Sequence, residues 1–201
     1  MDSTTDDDFT TRGRKGPLAP NPALWAALEG GRKLRVILED FYTRVFADPV
    51  LAPFFHGVTK ERVIDKQYSF LAEIFTGVRH YFGDRPRNAH HWMVISDELF
   101  DYRERLIERC MRDHGLSDAN VAAWLAVHEV FRKQIVKDRP IPRRMAGVEM
   151  PLGGWDRVEL SVGCLCDGCQ QVLEVGQVAT CHRRTGQAYC DACARAKQGT
   201  G

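Results

Sequence analysis

Two sets of residues in this chain have the type and spacing to do chemistry. The first is Cys166-Asp167-Gly168-Cys169 and Cys190-Asp191-Ala192-Cys193, two C-x2-C pairs separated by 20 residues. Each such turn aims two sulfurs at one point, and a tetrahedral zinc ion needs two turns facing each other. Six of the seven cysteines fall between Cys164 and Cys193. The N-terminal stretch lacks an apolar signal core, so the expected compartment is the cytoplasm, where clustered thiols hold metal rather than disulfides. Cys164, Cys181 and His182 are candidates to replace a ligand or to form part of a second site, and iron is the alternative metal for four thiolates. Cys110 sits in a helical pattern and reads as core. So short a module buries little apolar surface, and the metal is expected to supply much of its folding free energy.

The second set consists of polar side chains among apolar ones. His90 and His91 precede Trp92, Met93, Val94 and Ile95, a setting where a neutral imidazole nitrogen is able to ligate haem iron. An inert loop histidine is the plainer reading of either one alone. Gln67 interrupts the face formed by Val63, Phe70, Leu71, Ile74 and Phe75, and a buried amide without a partner costs about 1–3 kcal/mol.

The elements that must position these groups follow from periodicity. Leu34, Ile37, Leu38, Phe41, Tyr42, Val45 and Phe46 form one wide helical stripe, which Asp48-Pro49 stops. Thr59 is placed to cap a second helix carrying Gln67. A loop rich in Gly, Pro and Arg leads to a short segment around His90. Ser96 caps a third helix that ends at Gly115, and Ser117 a fourth with the stripe Val121, Trp124, Leu125, His128, Phe131 and Ile135. Beyond Lys137 the helical pattern disappears, Gly and Cys become frequent, and short β-like runs appear at 158–160 and 172–175. The domain reading is a disordered tail at 1–20, a helical domain at 21–138, a linker at 139–160 and a cysteine module at 161–196.

Over roughly residues 30–136 the order of motifs resembles the truncated haemoglobins, particularly their first group. The run Glu39-Asp40-Phe41-Tyr42-Thr43-Arg44-Val45-Phe46-Ala47-Asp48-Pro49 is similar to that family's first core helix. Leu51-Ala52-Pro53-Phe54-Phe55 resembles its corner, and Ala89-His90-His91-Trp92-Met93-Val94-Ile95-Ser96 its proximal segment. The resemblance implies a mainly α fold, a truncated globin helical sandwich, here followed by a small β-rich region similar to a zinc ribbon. It implies haem b, with His90 as the iron ligand in preference to His91, Phe55 against the porphyrin and Val63 at the gate. It places Tyr42 and Gln67 where both donate to bound dioxygen, whose partial negative charge such donors stabilise. Lys66 is placed to reach a haem propionate, with an exposed helix lysine as the alternative. The family's paired glycine is reduced here to Gly77, and Arg79-His80-Tyr81-Phe82-Gly83 fills the glycine-rich loop.

With a net charge of +1 and no apolar run near the ~18 residues that span a bilayer, neither nucleic acid nor membrane is the expected partner. Dioxygen and nitric oxide are the expected ligands, and the Tyr42/Gln67 pair resembles members that oxidise nitric oxide to nitrate. That activity needs an external reductase, because no flavin or nicotinamide motif is present. Two other functions stand beside it: a haem-based gas or redox sensor that signals to a protein partner through the zinc module, and a haem-free helical adaptor.

Overall fold

The structure, a computed structural model, describes residues 18–199 except 82, 146 and 184. The chain divides into two compact units, Met1–Arg139 and Pro140–Gly201. Most of the tail expected at 1–20 lies outside the described residues, but its end belongs to the fold: Leu18 is buried in the helical core.

In the first unit, α1 (Pro22–Ala27) starts at a proline and is capped by Asn21, whose side chain accepts from Leu24 N at 2.9 Å. Helix α2 (Arg32–Ala47) buries Leu34, Ile37, Leu38, Phe41, Tyr42 and Val45, the stripe the sequence predicts. Asp48 ends it, accepting from Val50 N, Leu51 N and the Tyr102 hydroxyl. A 3-10 turn, Ala52–Phe55, leads to α3 (Lys60–Thr76). Thr59 stands at the N-cap of α3 without a side-chain hydrogen bond to it. Gly77 closes α3 at φ 70°, and a Cβ there would lie 2.7 Å from Pro20 Cγ, so both backbone and space require glycine.

A short helix, α4 (Pro86–Ala89), precedes His90. Helix α5 (Asp97–Asp113) and helix α6 (Asp118–Ile135) are capped by Ser96 and Ser117, as expected. Helix α2 packs against α3 and α5, and α6 against α5 and α4. Leu71, Phe75, Ile107, Cys110 and Trp124 fill the centre. Among the described residues no helix is long and apolar enough to cross a membrane.

The second unit is β-rich. Strands β1 (Arg144–Met145) and β2 (Val148–Glu149) pair antiparallel. Strand β3 (Trp155–Glu159) lies within the segment read as linker, yet it forms an edge of a three-stranded antiparallel sheet. The other members are β6 (Val178–His182) and β7 (Ala188–Tyr189), in the order β3-β6-β7. Strands β4 (Cys164–Leu165) and β5 (Val172–Leu173) form a separate hairpin, and α7 (Asp191–Gln198) ends the unit. Its core is small: Leu173 and Tyr189 are the only large side chains buried with Cys166, Cys190 and three alanines among the described residues.

Candidate functional site

His90 follows the single turn of α4, whose start Pro86 fixes. Its Nδ1 lies 2.8 Å from the Pro86 carbonyl oxygen. A carbonyl only accepts, so Nδ1 carries the proton and Nε2 of the neutral ring keeps a lone pair. Burial pushes this imidazole down to about 4, helped by the charges of Lys137 and Arg103 and opposed by the Pro86 bond. His91 has the same backbone arrangement, with Asn88 O at 2.8 Å, and is 2% exposed.

Of the residues expected around a haem, Tyr42 and Phe55 share one aromatic cluster. The Phe55 ring stands edge-on to Tyr42 at 5.8 Å and 5.3 Å from Phe46. Phe54 lies 6.5 Å from Trp92, which joins the corner after α2 to the segment after His90. Tyr42 is buried, while Val63, Lys66 and Gln67 are half-buried on successive turns of α3. Val63 packs on the core, and the Lys66 carbonyl accepts from the Ser69 hydroxyl.

Burial raises the Tyr42 hydroxyl, and the charge of Arg103 of α5 works against it; Arg103 is a residue to which the sequence reading gave no role. The signal was there: Arg103 interrupts the inner face of α5, between Phe100 and Leu106-Ile107, as Gln67 interrupts α3. Its guanidinium lies 4.8 Å from the Phe41 ring centre, and Nη1 is 2.5 Å from Glu104 Oε1. Glu104 Oε2 meets His128 Nδ1 at 2.8 Å, and Trp124 Nε1 donates to His128 Nε2 at 3.0 Å. That last bond sets the tautomer, so His128 is neutral and donates to Glu104 through Nδ1. Burial works to raise the Glu104 carboxyl, but the His128 and Arg103 interactions overcome it and hold it at about 2. Burial, opposed by Glu104, lowers the His128 imidazole.

A second cation was also missed. Burial, and then the charge of Arg87, push the Lys137 ammonium down to about 8. Lys137 also acts electrostatically on His90. Two cations that repel beside a half-buried imidazole suit an anionic group between them, as a haem propionate would be.

In the second unit the ligand atoms of Cys166, Cys169, Cys190 and Cys193 all lie within 4.8 Å of one another, and Cys169 Sγ is 3.9 Å from Cys190 Sγ. Zinc–sulfur bonds of about 2.3 Å in a tetrahedron put sulfurs ~3.8 Å apart. Gly168 N and Cys190 N approach Cys166 Sγ at 3.4 and 3.3 Å. Burial disfavours the thiolate, but these N–H donors bring Cys166 down to about 6, while hydrogen bonds to the neighbouring sulfurs push Cys193 up to about 12. Sulfurs this close cannot all ionise without a cation among them. Among the described residues, Cys164, Cys181 and His182 are not in this cluster; His182 Nδ1 pairs with Thr185 Oγ1, and its ring packs on Trp155.

Gly168 has its own role here. A Cβ would stand 2.8 Å from both Cβ and Sγ of Cys193, so Gly168→Ala must displace a sulfur. Metal affinity, measured by competition with a chromophoric chelator, is expected to fall at least about tenfold, the scale for disturbing a ligand's support. Unchanged affinity would show that Cys193 is not held as a ligand.

Comparison with known proteins was made against this geometry. Residues 23–137, more than half the chain, match the model of the bacterial-like globin family. The chain is 28% identical over 107 residues to the group 1 truncated hemoglobin LI410 of Chlamydomonas moewusii, covering 52% of this chain and 63% of that protein. It is 26% identical over 112 residues to the group 1 truncated hemoglobin of Tetrahymena thermophila, covering 56% and 93%. The solved Fe(III) form of truncated hemoglobin from Tetrahymena pyriformis shares the fold, with a TM-score of 0.53 and 24% identity over 57% of this chain and 98% of that one. The family match ends at residue 137, before the cysteine-bearing unit. The chain belongs to the bacterial-like globin family.

Proposed function

We propose that the helical unit binds haem b through His90 Nε2 and presents Tyr42 and Gln67 to dioxygen or nitric oxide, and that the four cysteines bind one zinc ion. Family membership implies haem-based gas binding. The residue assignment rests on the bond from His90 Nδ1 to Pro86 O, which orients the ring and leaves a neutral nitrogen for a metal. When bound, haem supplies an iron centre for diatomic gases. The chain's own side chains do the rest. Phe54, Phe55 and Trp92 exclude water, Val63 stands at the gate, and Tyr42 and Gln67 donate hydrogen bonds to the ligand. Arg87, Lys137 and Lys66 offer positive charge to the propionates.

Nitric oxide dioxygenation is the enzymatic reading. Joining one nitric oxide and one dioxygen as nitrate takes up one electron, which an external reductase supplies. The test mixes the oxygenated protein with nitric oxide in a stopped flow. Stoichiometric nitrate is expected, together with dioxygen release at least about tenfold faster in Tyr42→Phe, the scale for losing one charge-assisted donor. Slow nitric oxide consumption with no nitrate would leave gas sensing. That second reading is favoured by one observation: Ile95 and Lys137 exchange backbone hydrogen bonds, tying the His90 segment to the chain just before the second unit.

A further inference from the structure

The four sulfurs of the cysteine cluster differ in how they meet solvent. Cys166 and Cys190 are buried, at 0% and 9% exposure, and Cys193 is half-buried. Among the described residues Cys169 is the one exposed cysteine. The backbone of the first C-x2-C turn produces this asymmetry. Cys166 N donates to Gln171 O at 2.8 Å and Gln170 N to Cys166 O at 2.9 Å, so the chain closes over Cys166. Gln170 takes φ 62°, and the turn at 168–171 is exposed throughout. The Cys166 sulfur is held from within by the N–H groups of Gly168 and Cys190. Cys169 Sγ instead stands 3.9 Å from Cys190 Sγ.

We propose that Cys169 is a modification site for peroxides, and that its oxidation, resolved by Cys190, ejects the metal from the second unit. This rests on the four-cysteine zinc reading above. A zinc-bound sulfur is a thiolate, and the thiolate is the nucleophile. Exposure then decides which of the four hydrogen peroxide reaches first. The Cys169 sulfur attacks one peroxide oxygen and breaks the O–O bond, giving a sulfenic acid and one hydroxide ion. The Cys190 thiolate attacks the Cys169 sulfur and displaces a second hydroxide as the disulfide forms. Two electrons pass from the two sulfurs to the peroxide, which ends as two hydroxide ions. The sulfurs close from 3.9 Å to the about 2.0 Å of a disulfide by movement of an exposed turn. Cys166 and Cys193 remain, two of the four ligands that a structural zinc ion takes, and the ion leaves.

The experiment treats the full-length, zinc-loaded protein with hydrogen peroxide, its haem held in the ferrous carbon monoxide form so that iron does not consume the oxidant. Zinc release is followed with a chromophoric chelator, remaining thiols are alkylated, and peptides are mapped by mass spectrometry without reduction. One Cys169–Cys190 disulfide is expected per zinc released, and a dithiol with added zinc is expected to reverse both changes. Dimedone present during oxidation is expected to tag Cys169. In Cys169→His an imidazole replaces the exposed thiolate as ligand. Zinc release is then expected to slow at least about tenfold, because cysteine oxidation follows thiolate exposure. The wild-type peptide map decides by itself if that variant does not hold zinc. Zinc retained under peroxide, a map in which Cys169 stays reduced or pairs with a cysteine other than Cys190, or a release rate unchanged in Cys169→His overturns the inference while leaving the metal site intact. Purified protein without bound metal overturns the zinc reading and this inference with it.

Discussion

His90→Gly is expected to lose its haem absorption at a stoichiometry where wild type is saturated, and to regain it with millimolar imidazole. The substitution removes the ring but spares the local backbone, since His90 N still donates to Pro86 O at 3.1 Å. Loss of haem would therefore report a lost iron ligand rather than a collapsed segment. His91→Gly is the matched control, because His91 has the same Nδ1-to-backbone bond one residue on. Retention of haem in His90→Gly with its loss in His91→Gly would move the ligand by one residue, and retention in both would sink the assignment. The apoprotein adds a pH signature. Burial lowers the His90 imidazole from 6.5 to about 4. Above pH 6.5 neither folded nor unfolded chain holds the proton. Between pH 6.5 and 4 the unfolded chain takes it up first, so stability falls with pH by up to about 3 kcal/mol. Denaturant melts of apo His90→Gly should show that much less loss across the same window.

Removing the metal from the second unit is expected to unfold it while leaving the helical unit intact. Its core holds Leu173, Tyr189, alanines and the cysteines themselves, too little apolar surface to offset chain entropy unaided. Structural zinc contributes roughly 10–16 kcal/mol in zinc-finger peptides, more than any other interaction described in this unit. Trp155 provides a local probe, packed 5.7 Å from Tyr189 and 4.7 Å from His182. A strong chelator should shift tryptophan emission to the red and expose the backbone of β3, β6 and β7 to proteolysis. Helical circular dichroism should stay nearly unchanged, and added zinc should reverse the effect. If elemental analysis confirms metal loss and both probes remain unmoved, the fold of this unit does not depend on the ion.

Local chemistry made much of this legible in the sequence. Ser96 and Ser117 announce α5 and α6 because a side-chain oxygen at the N-cap has a fixed geometric duty, and the two C-x2-C pairs announce their cluster for the same reason. What was hidden depends on partners far along the chain. The inner face of α5 marks Arg103 as out of place, but not its partners, until α2 brings Phe41 under it and α6 brings His128 to its counter-ion. Strand β3 lay inside an apparent linker because its pairing partner, β6, begins 19 residues after β3 ends. Leu18 looked like tail because one apolar residue carries no periodicity.

The pair of backbone bonds between Ile95 and Lys137, at 3.2 and 2.9 Å, closes a loop whose ends are 42 residues apart (137 minus 95). Bringing such ends together costs about 3 kcal/mol of chain entropy, while two backbone hydrogen bonds return only about 1–3 kcal/mol. The clasp cannot form ahead of the packing of α5 on α6; it forms because that packing has already brought its two ends within reach. The segment that carries His90 is thus fastened late in folding, and the geometry at its imidazole is an outcome of the completed helical unit.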